Sequence, residues 1–336
     1  MAVAAADLLA RARTGDKHAI ARVLSVVEND SAGAADVVRE TFPQTGRALV
    51  LGVTGPPGGG KSTLVSRLVG AYRARVSRVA VVAVDPSSPF TGGAILGDRI
   101  RMVDRALDEG VFIRSMASRG HVGGLARASV RVVNVLDAIG FDVVLVETVG
   151  VGQEEIDVVR VADTVALVTV PGLGDDIQAI KAGILEIADI LVVNKGDRPG
   201  ADETVRDLAQ MLTLGSRRYA EDGSGHHRAA GPPHAEPEEH TGWKPPIVRT
   251  VAATGEGIDE LVAAVDRHRE WAARSGERER RRADAARVEV EALLRDALVR
   301  RLEERVGAEG VRRAVARVAA REVDPYAAVE ELLREA

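Results

Sequence analysis

Apolar residues recur along this 336-residue chain in two patterns, which predict alternating strands and helices. Short continuous apolar runs at residues 48–53 and 78–85 are typical of strands that are buried on both faces. Between the runs, apolar residues return every three or four positions, the period of an amphipathic helix. Five later runs complete the set, at residues 111–114, 142–147, 164–170, 190–194 and 246–250. The chain is therefore predicted to be α/β, with a mostly parallel sheet covered by helices on both faces.

The same pattern predicts helical extensions on both sides of the sheet domain. Residues 1–45 carry helical periodicity before the first strand, and residues 46–270 hold all the strands. Residues 271–336 are predicted to form a helical arm with an apolar row at a spacing of four: Val290, Leu294, Leu298 and Leu302. Within the sheet domain, residues 216–246 are rich in glycine, proline and charge, which predicts a long flexible loop.

A complete phosphate-binding loop follows the first strand. Residues 55–62 read Gly-Pro-Pro-Gly-Gly-Gly-Lys-Ser and match G-x-x-x-x-G-K-[ST] between a strand and a helix, which predicts a P-loop NTPase. The backbone N–H groups of such a loop and the helix start bind phosphate. Lys61 can reach the β- and γ-phosphates, and the Ser62 hydroxyl can bind Mg²⁺. The predicted nucleotide contacts here are Gly55, Gly58, Gly59, Gly60, Lys61, Ser62 and Thr63.

The fourth strand ends in residues that suit phosphoryl transfer. Glu147 can hold the metal directly or through water. The Gly150 N–H can bond the γ-phosphate and move when that phosphate leaves. Gln153 is a candidate for orienting the attacking water. We therefore expect hydrolysis of the terminal phosphate at this end of the sheet.

A second motif, Asn194-Lys195-Gly196-Asp197, matches N-K-x-D after an apolar strand and predicts guanine specificity. The Asp197 carboxylate can accept hydrogen bonds from N1–H and the exocyclic amine of guanine, whereas adenine has no donor at N1. The Lys195 stem can cover the plane of the base. After the last strand, the backbone N–H of Ala252 is the candidate donor to the guanine O6. The predicted ligands are therefore GTP and GDP with Mg²⁺.

Composition narrows the cellular context. The formal net charge is −5, which gives no sign of nucleic-acid affinity, and there is no cysteine for disulfides or thiolate chemistry. No apolar run approaches the length of a membrane span, and Asp7 interrupts the apolar start of the chain. We expect a cytoplasmic protein that binds neither nucleic acid nor membrane.

Long stretches of the chain resemble the MeaB/ArgK family of P-loop GTPases. The resemblance rests on residues 84–93, 96–102, 114–121, 147–153 and 174–183, and it is strongest between about Leu49 and Lys195. It implies a GTPase that acts as a chaperone for an adenosylcobalamin-dependent acyl-CoA mutase, typically methylmalonyl-CoA mutase. Such a chaperone gates cofactor loading and protects or reactivates the mutase.

The resemblance also implies roles for particular residues. Asp85, Asp98 and Glu147 are the acids of the Mg²⁺ site, alongside Ser62. The segment around Asp175, Gln178 and Lys181 is a mobile loop that responds to the mutase, and the C-terminal helices form a homodimer. Because no arginine is clearly placed beside the phosphates, we expect slow hydrolysis without the partner, with Lys181 adding positive charge once the loop is ordered.

Two departures from the family and one alternative function complete the sequence analysis. Val251 stands where the family usually has serine, and the 216–246 loop is longer than the family pattern. That loop contains four of the seven histidines, which could ligate nickel in a metallochaperone GTPase: His226, His227, His234 and His240. A solvated loop is the simpler interpretation, since no cysteine completes such a site. A small-molecule kinase is disfavoured by the guanine motif.

Overall fold

The computed structural model describes residues 2–86, 105, 107–118, 124–148, 161–172, 188–221 and 242–335. Within these residues, seven parallel strands form one sheet in the order β3-β2-β4-β1-β5-β6-β7. The strands are β1 Leu49–Thr54, β2 Val79–Pro86, β3 Val111–Ser118, β4 Val143–Thr148, β5 Thr164–Thr169, β6 Ile190–Val193 and β7 Ile247–Arg249. The predicted α/β class is confirmed.

Six described helices precede or separate the strands, and three follow the last of them. The first group is α1 Ala2–Arg13, α2 Lys17–Glu28, α3 Ala34–Thr41, α4 Lys61–Arg73, α5 Gly124–Ala138 and α6 Ala201–Glu221. The second group is α7 Ile258–Ser275, α8 Glu277–Ala319 and α9 Pro325–Glu335. A short 3₁₀ turn, Phe42–Gln44, links α3 to the sheet domain.

Alternating residues of each strand face two apolar layers. On β1, Val50 packs with residues of α1, α2, α3 and α5, whereas Leu51 and Val53 pack with α4 and α7. On β5 and β6, Leu167 and Leu191 pack against α6. Because both faces are covered, all six residues of β1 are buried, which explains why the strands are continuous apolar runs.

The N-terminal helices belong to the core of the sheet domain. Leu9, Ile20 and Leu24 are almost fully buried and pack in the same apolar cluster as α5 and β2. Polar contacts add to this packing, because the Arg114 guanidinium on β3 contacts Glu28 and donates to Ser25 Oγ at 3.0 Å. The apolar residues that give residues 1–45 their helical periodicity therefore pack on their own domain.

The predicted loop at residues 216–246 begins later than the sequence indicated. Helix α6 continues through residues 216–221, and residues 242–246 lead into β7. The physical reason is that residues 216–221 contain neither glycine nor proline, so nothing in them ends the helix before Gly223. Residues 222–241, which contain all four loop histidines, lie outside the described residues.

The C-terminal part of the chain forms a separate compact unit. The chain divides into residues Met1–Arg278 and Glu279–Ala336. Helix α8 is interrupted at Gly307, whose φ of 73° and ψ of 157° are not helical. Asp324 begins α9 by accepting hydrogen bonds from the N–H groups of Tyr326 and Ala327. None of the described helices is long and apolar enough to span a membrane.

Candidate functional site

The phosphate-binding loop connects β1 to α4 through glycines that no other residue could replace without strain. Gly55, Gly58 and Gly60 have φ values of 135°, 75° and 85°, a region that L side chains rarely adopt. A Cβ on Gly55 would lie 2.0 Å from the Val168 carbonyl oxygen, and one on Gly60 would lie 2.5 Å from Asn194 Nδ2. The glycines therefore allow both the turn and the close approach of β5 and β6.

The loop holds its lysine at the start of α4. Lys61 is buried, and its Nζ donates to the carbonyl oxygens of Gly55 at 2.6 Å and Pro56 at 2.9 Å. Thr63 lies exposed in the first turn of the same helix. The ammonium group is thus fixed beside the backbone of the loop, where a lysine of this motif meets nucleotide phosphates.

Ser62 and Glu147 bring two oxygen ligands together. The Ser62 hydroxyl donates to Glu147 Oε1 at 2.7 Å, and both residues are buried. This contact follows from the register, because β1 and β4 are neighbours and Val53 pairs with Glu147. A hydroxyl and a carboxylate are ligands that Mg²⁺ prefers, so these residues fit the expected metal.

Several predicted site residues fall outside the described part of the chain. Asp98, Gly150, Gln153 and Lys181 are in this group, and so is the 174–183 segment. Asp85 lies in β2, which pairs with β4 beside Glu147, but its side chain is outside what the structure describes. Within the described residues, no cluster of three or more His, Asp or Glu side chains could hold a metal ion.

Asn194 connects the phosphate loop to the segment after β7. Its Nδ2 donates to the Gly59 carbonyl oxygen at 2.8 Å. Its Oδ1 accepts from the Ala252 N–H at 3.1 Å and from Thr250 Oγ1 at 3.2 Å. Asn194 is buried, so these bonds use both ends of its amide in the interior. The first residue of the N-K-x-D motif thus holds together two other parts of the site.

The rest of this motif lies toward the solvent. Lys195 has a left-handed φ of 55°, and its Nζ donates to the Gly58 carbonyl oxygen at 2.7 Å, so its stem extends along the phosphate loop. Asp197 is exposed. The Gly196 N–H donates to the Thr250 carbonyl oxygen at 2.9 Å, which ties the motif to β7.

The structure adds two features to the predicted base-binding loop. The Ala252 N–H, which the sequence analysis assigned to guanine O6, is bonded to Asn194 Oδ1. In addition, the Arg67 guanidinium on α4 donates from Nε to the Ala252 carbonyl oxygen at 2.9 Å and from Nη2 to that of Ala253. Sequence reasoning missed Arg67 because it belongs to no motif and is far along the chain from residue 252.

Comparisons with known proteins agree with this geometry. A family described as "Methylmalonyl Co-A mutase-associated GTPase MeaB" matches residues 20–307. A protein of Pyrococcus abyssi (strain GE5 / Orsay) named "Putative GTPase" is 45% identical over 329 residues, covering 98% of this chain and 96% of that protein. The GTPase ArgK of Escherichia coli (strain K12) is 37% identical over 269 residues, covering 77% of this chain and 74% of ArgK.

A solved structure extends the likeness to the fold. The crystal structure of a LAO/AO transport system kinase is similar with a TM-score of 0.64 and 25% identity, and covers 99% of this chain and 97% of that chain. The family match runs from α2 through the phosphate loop and the N-K-x-D motif into α8. With Lys61, Ser62, Glu147 and Asn194 at one edge of a parallel sheet, the chain belongs to the MeaB family of methylmalonyl-CoA mutase-associated P-loop GTPases.

Proposed function

We propose that this GTPase is a chaperone for an adenosylcobalamin-dependent acyl-CoA mutase, with methylmalonyl-CoA mutase as the first candidate. It gates cofactor loading and protects or reactivates the mutase. The observation that carries the assignment is the family match over residues 20–307, because the family's description names that mutase. By the same resemblance the protein is a homodimer through residues 271–336, and we infer a cytoplasmic location.

The described residues supply the binding of GTP and GDP. The N–H groups of the phosphate loop and the start of α4 bind the phosphates, with Lys61 neutralising their charge. Asp197 accepts from the N1–H and amine of guanine, and the Lys195 stem covers the base. These contacts discriminate against adenine, which would leave the Asp197 carboxylate unpaired. The proposal therefore predicts a guanine-specific site.

Hydrolysis uses the opposite end of the bound nucleotide. Ser62 Oγ and Glu147 Oε1, which lie 2.7 Å apart, are the residues that would hold Mg²⁺. When bound, the metal ion offsets negative charge on the phosphate oxygens. Glu147 orients Ser62 by accepting its hydroxyl proton in a hydrogen bond. The proposal also includes two further acids that bind the metal, Asp85 and Asp98. It includes three residues that act in hydrolysis: Gly150, Gln153 and Lys181.

Nucleotide specificity is tested by measuring the affinities of labelled GDP and ADP in the presence of Mg²⁺. GDP is expected to bind at least about a thousandfold more tightly, because a site built around a base hydrogen bond rejects the analogue that lacks it. Lys61→Ala should abolish tight binding, whereas Lys244→Ala, an exposed lysine in the segment before β7, should not. Equal affinities for GDP and ADP would refute guanine specificity.

The partner is tested by GTP turnover with and without methylmalonyl-CoA mutase. A slow basal rate should rise when the mutase is added, because a partner that orders the loop can supply charge near the phosphates. Lys181→Ala should lose the stimulation and keep the basal rate. If no cobalamin-dependent acyl-CoA mutase stimulates turnover, the chaperone assignment is wrong. A nickel-dependent change in turnover would instead favour the metallochaperone, whose four histidines lie at residues 222–241.

A further inference from the structure

Arg67 links the helix that begins at the phosphate loop to the loop that follows β7. It lies in the second turn of α4, the helix that starts with Lys61. One edge of its guanidinium donates to two successive carbonyl groups, those of Ala252 and Ala253. Bonds from a charged planar donor to two acceptors fix direction as well as distance. Arg67 therefore constrains the orientation of two adjacent peptide groups.

The orientation of these peptides determines which N–H groups the loop presents. The described residues contain no cis peptide bond, and in a trans peptide the C=O and the next N–H point in opposite directions. Since the Ala252 carbonyl faces Arg67, the Ala253 N–H is directed away from α4. Within the described residues this N–H takes part in no hydrogen bond, and Ala253 is exposed.

The neighbouring donors of the loop are already engaged. The Ala252 N–H is bonded to Asn194 Oδ1, and the Thr254 and Gly255 N–H groups both reach the Val251 carbonyl oxygen. Asn194 thus holds the loop through an N–H, and Arg67 holds it through two carbonyls. Between these two fixed contacts, the Ala253 N–H is the donor that the loop leaves open beside the N-K-x-D motif.

We propose that Arg67 is a positioning residue for base recognition, which turns the Ala253 N–H toward O6 of guanine. The inference rests on the proposed guanine specificity and assigns a second determinant of it besides Asp197. Guanine has an acceptor at position 6, whereas adenine has an amine there, so a fixed N–H favours guanine and opposes adenine. Because Arg67 and Lys61 belong to one helix, the phosphate and base ends of the site share a rigid support.

The test measures how Arg67→Met changes the affinity for two ligands, GDP and the 5′-diphosphate of 2-aminopurine riboside. The second ligand keeps the exocyclic amine and the phosphates but has neither the oxygen at position 6 nor the N1–H, so the effect of each variant is compared with wild type separately for each ligand. Arg67→Met should weaken GDP by about tenfold, the size of one well-placed hydrogen bond to a charged or polar partner, and weaken the analogue by less than about twofold. Arg75→Met is the control, since Arg75 follows the same helix but pairs with Asp266.

A second variant separates the loss of a hydrogen bond from a general loss of folding. Arg67→Lys keeps the charge but cannot donate to two carbonyls from one planar edge, so it should also lose GDP affinity selectively, with a thermal midpoint close to wild type. Equal losses for GDP and the analogue would mean that Arg67 is only structural, and unchanged GDP affinity in either folded variant would also overturn the inference. If wild type fails to prefer GDP over ADP, the guanine assignment fails, and this inference fails with it.

Discussion

Gly55 shows at the scale of one residue how the phosphate loop depends on its backbone. Its φ of 135° and its approach to the Val168 carbonyl leave no space for a side chain. Gly58 also has a positive φ, but a Cβ there would meet no atom within 4 Å. We therefore predict that Gly55→Ala lowers the free energy of unfolding by at least about 2 kcal/mol more than Gly58→Ala does.

Urea unfolding of the two glycine variants, followed by far-UV circular dichroism, measures this difference. Gly58→Ala is the matched control because it carries the backbone cost of a positive φ, about 1–2 kcal/mol, without the collision. Equal unfolding free energies for the two variants would show that β5 can move away from the loop at little cost.

Glu147 carries the second prediction at this scale. Glu147→Gln keeps an oxygen that can accept the Ser62 hydroxyl at the 2.7 Å contact but removes the negative charge. GDP affinity should stay within about threefold of wild type, since this side chain lies at the phosphate end, away from the base. Turnover of GTP at saturating Mg²⁺ should fall by about a hundredfold or more, because charge on the transferring phosphoryl is less well offset.

The measurement is the rate of phosphate release across a range of Mg²⁺ concentrations. Loss of affinity for the metal should also shift the Mg²⁺ midpoint upward in any residual activity. If Glu147→Gln kept the wild-type turnover, the Glu147 carboxylate would not be a ligand of the metal.

Residues that belong to motifs could be predicted from the sequence, whereas residues that contact distant parts of the chain could not. Gly55, Lys61, Ser62 and Asn194 lie in fixed spacings whose chemistry is local, and the structure places all four at one edge of the sheet. Arg67 contacts residues 252 and 253, a long way along the chain, and no periodicity encodes such a pair. Likewise, the sequence does not reveal that the Ala252 N–H is hydrogen-bonded to Asn194 Oδ1.

At the scale of elements, an ion pair joins the end of α4 to the turn before β3. Arg73 donates from Nε at 3.0 Å and from Nη2 at 2.9 Å to the two oxygens of Asp108, which also accepts the Gly110 N–H at 2.8 Å. The hydrogen bond from Arg73 is the main cause that lowers the pKa of Asp108 below its usual value, and the Gly110 N–H adds to it.

The sign of the pH effect follows from that lowered pKa. Asp108 binds a proton more weakly in the folded chain than in the unfolded chain, so its stabilising contribution is complete above the ordinary pKa of 3.8 and is lost as the pH falls through the lower folded value. We predict that Asp108→Asn flattens the dependence of stability on pH in this acid range. The pair is partly exposed, so the change should be modest.

Urea unfolding midpoints between pH 6 and pH 3 test this prediction. Wild type should lose more stability over that interval than Asp108→Asn. Arg73→Met, which removes the partner instead, should show a partly flattened profile, because the Gly110 N–H still lowers the pKa of Asp108. Parallel curves for wild type and both variants would mean that the ion pair does not contribute to acid sensitivity.

The identity of the elements was predictable, but some of their limits and attachments were not. Continuous apolar runs predicted all seven strands. Every residue of β1, β4, β5 and β6 is buried, as expected where both faces of a sheet are covered. The end of helix α6 was missed because residues 216–221, three of which are charged, directly precede the segment that is rich in glycine and proline. The contacts of Trp243 could not be predicted from the sequence either. Its Nε1 donates to the Asp189 carbonyl oxygen at 2.7 Å, and its ring centroid lies 4.9 Å from that of buried His268.

At the scale of the whole molecule, the C-terminal unit presents apolar side chains that a chain on its own would bury. Val290, Leu294 and Leu298 lie four residues apart on α8 and are 62%, 57% and 57% exposed. One exposed leucine is ordinary, but a row along one helix face is typical of an association surface. Together with the family resemblance, this row supports the proposal that residues 271–336 form a homodimer.

We predict that the double variant Leu294→Glu/Leu298→Glu is a monomer under conditions in which the wild type is a dimer. Two charges on the row would have to be desolvated on association, which costs several kcal/mol and exceeds the gain from the remaining apolar contacts. Sedimentation equilibrium or light scattering measures the mass directly. Arg300→Glu is the control, because it changes the net charge by the same amount at an exposed position that points well away from Leu294 and Leu298, and it should leave the dimer intact. GDP binding should survive in both variants, since the nucleotide residues belong to the unit that ends at Arg278. A wild type that is monomeric at every concentration would refute the homodimer, and a double variant that remains dimeric would place the interface elsewhere.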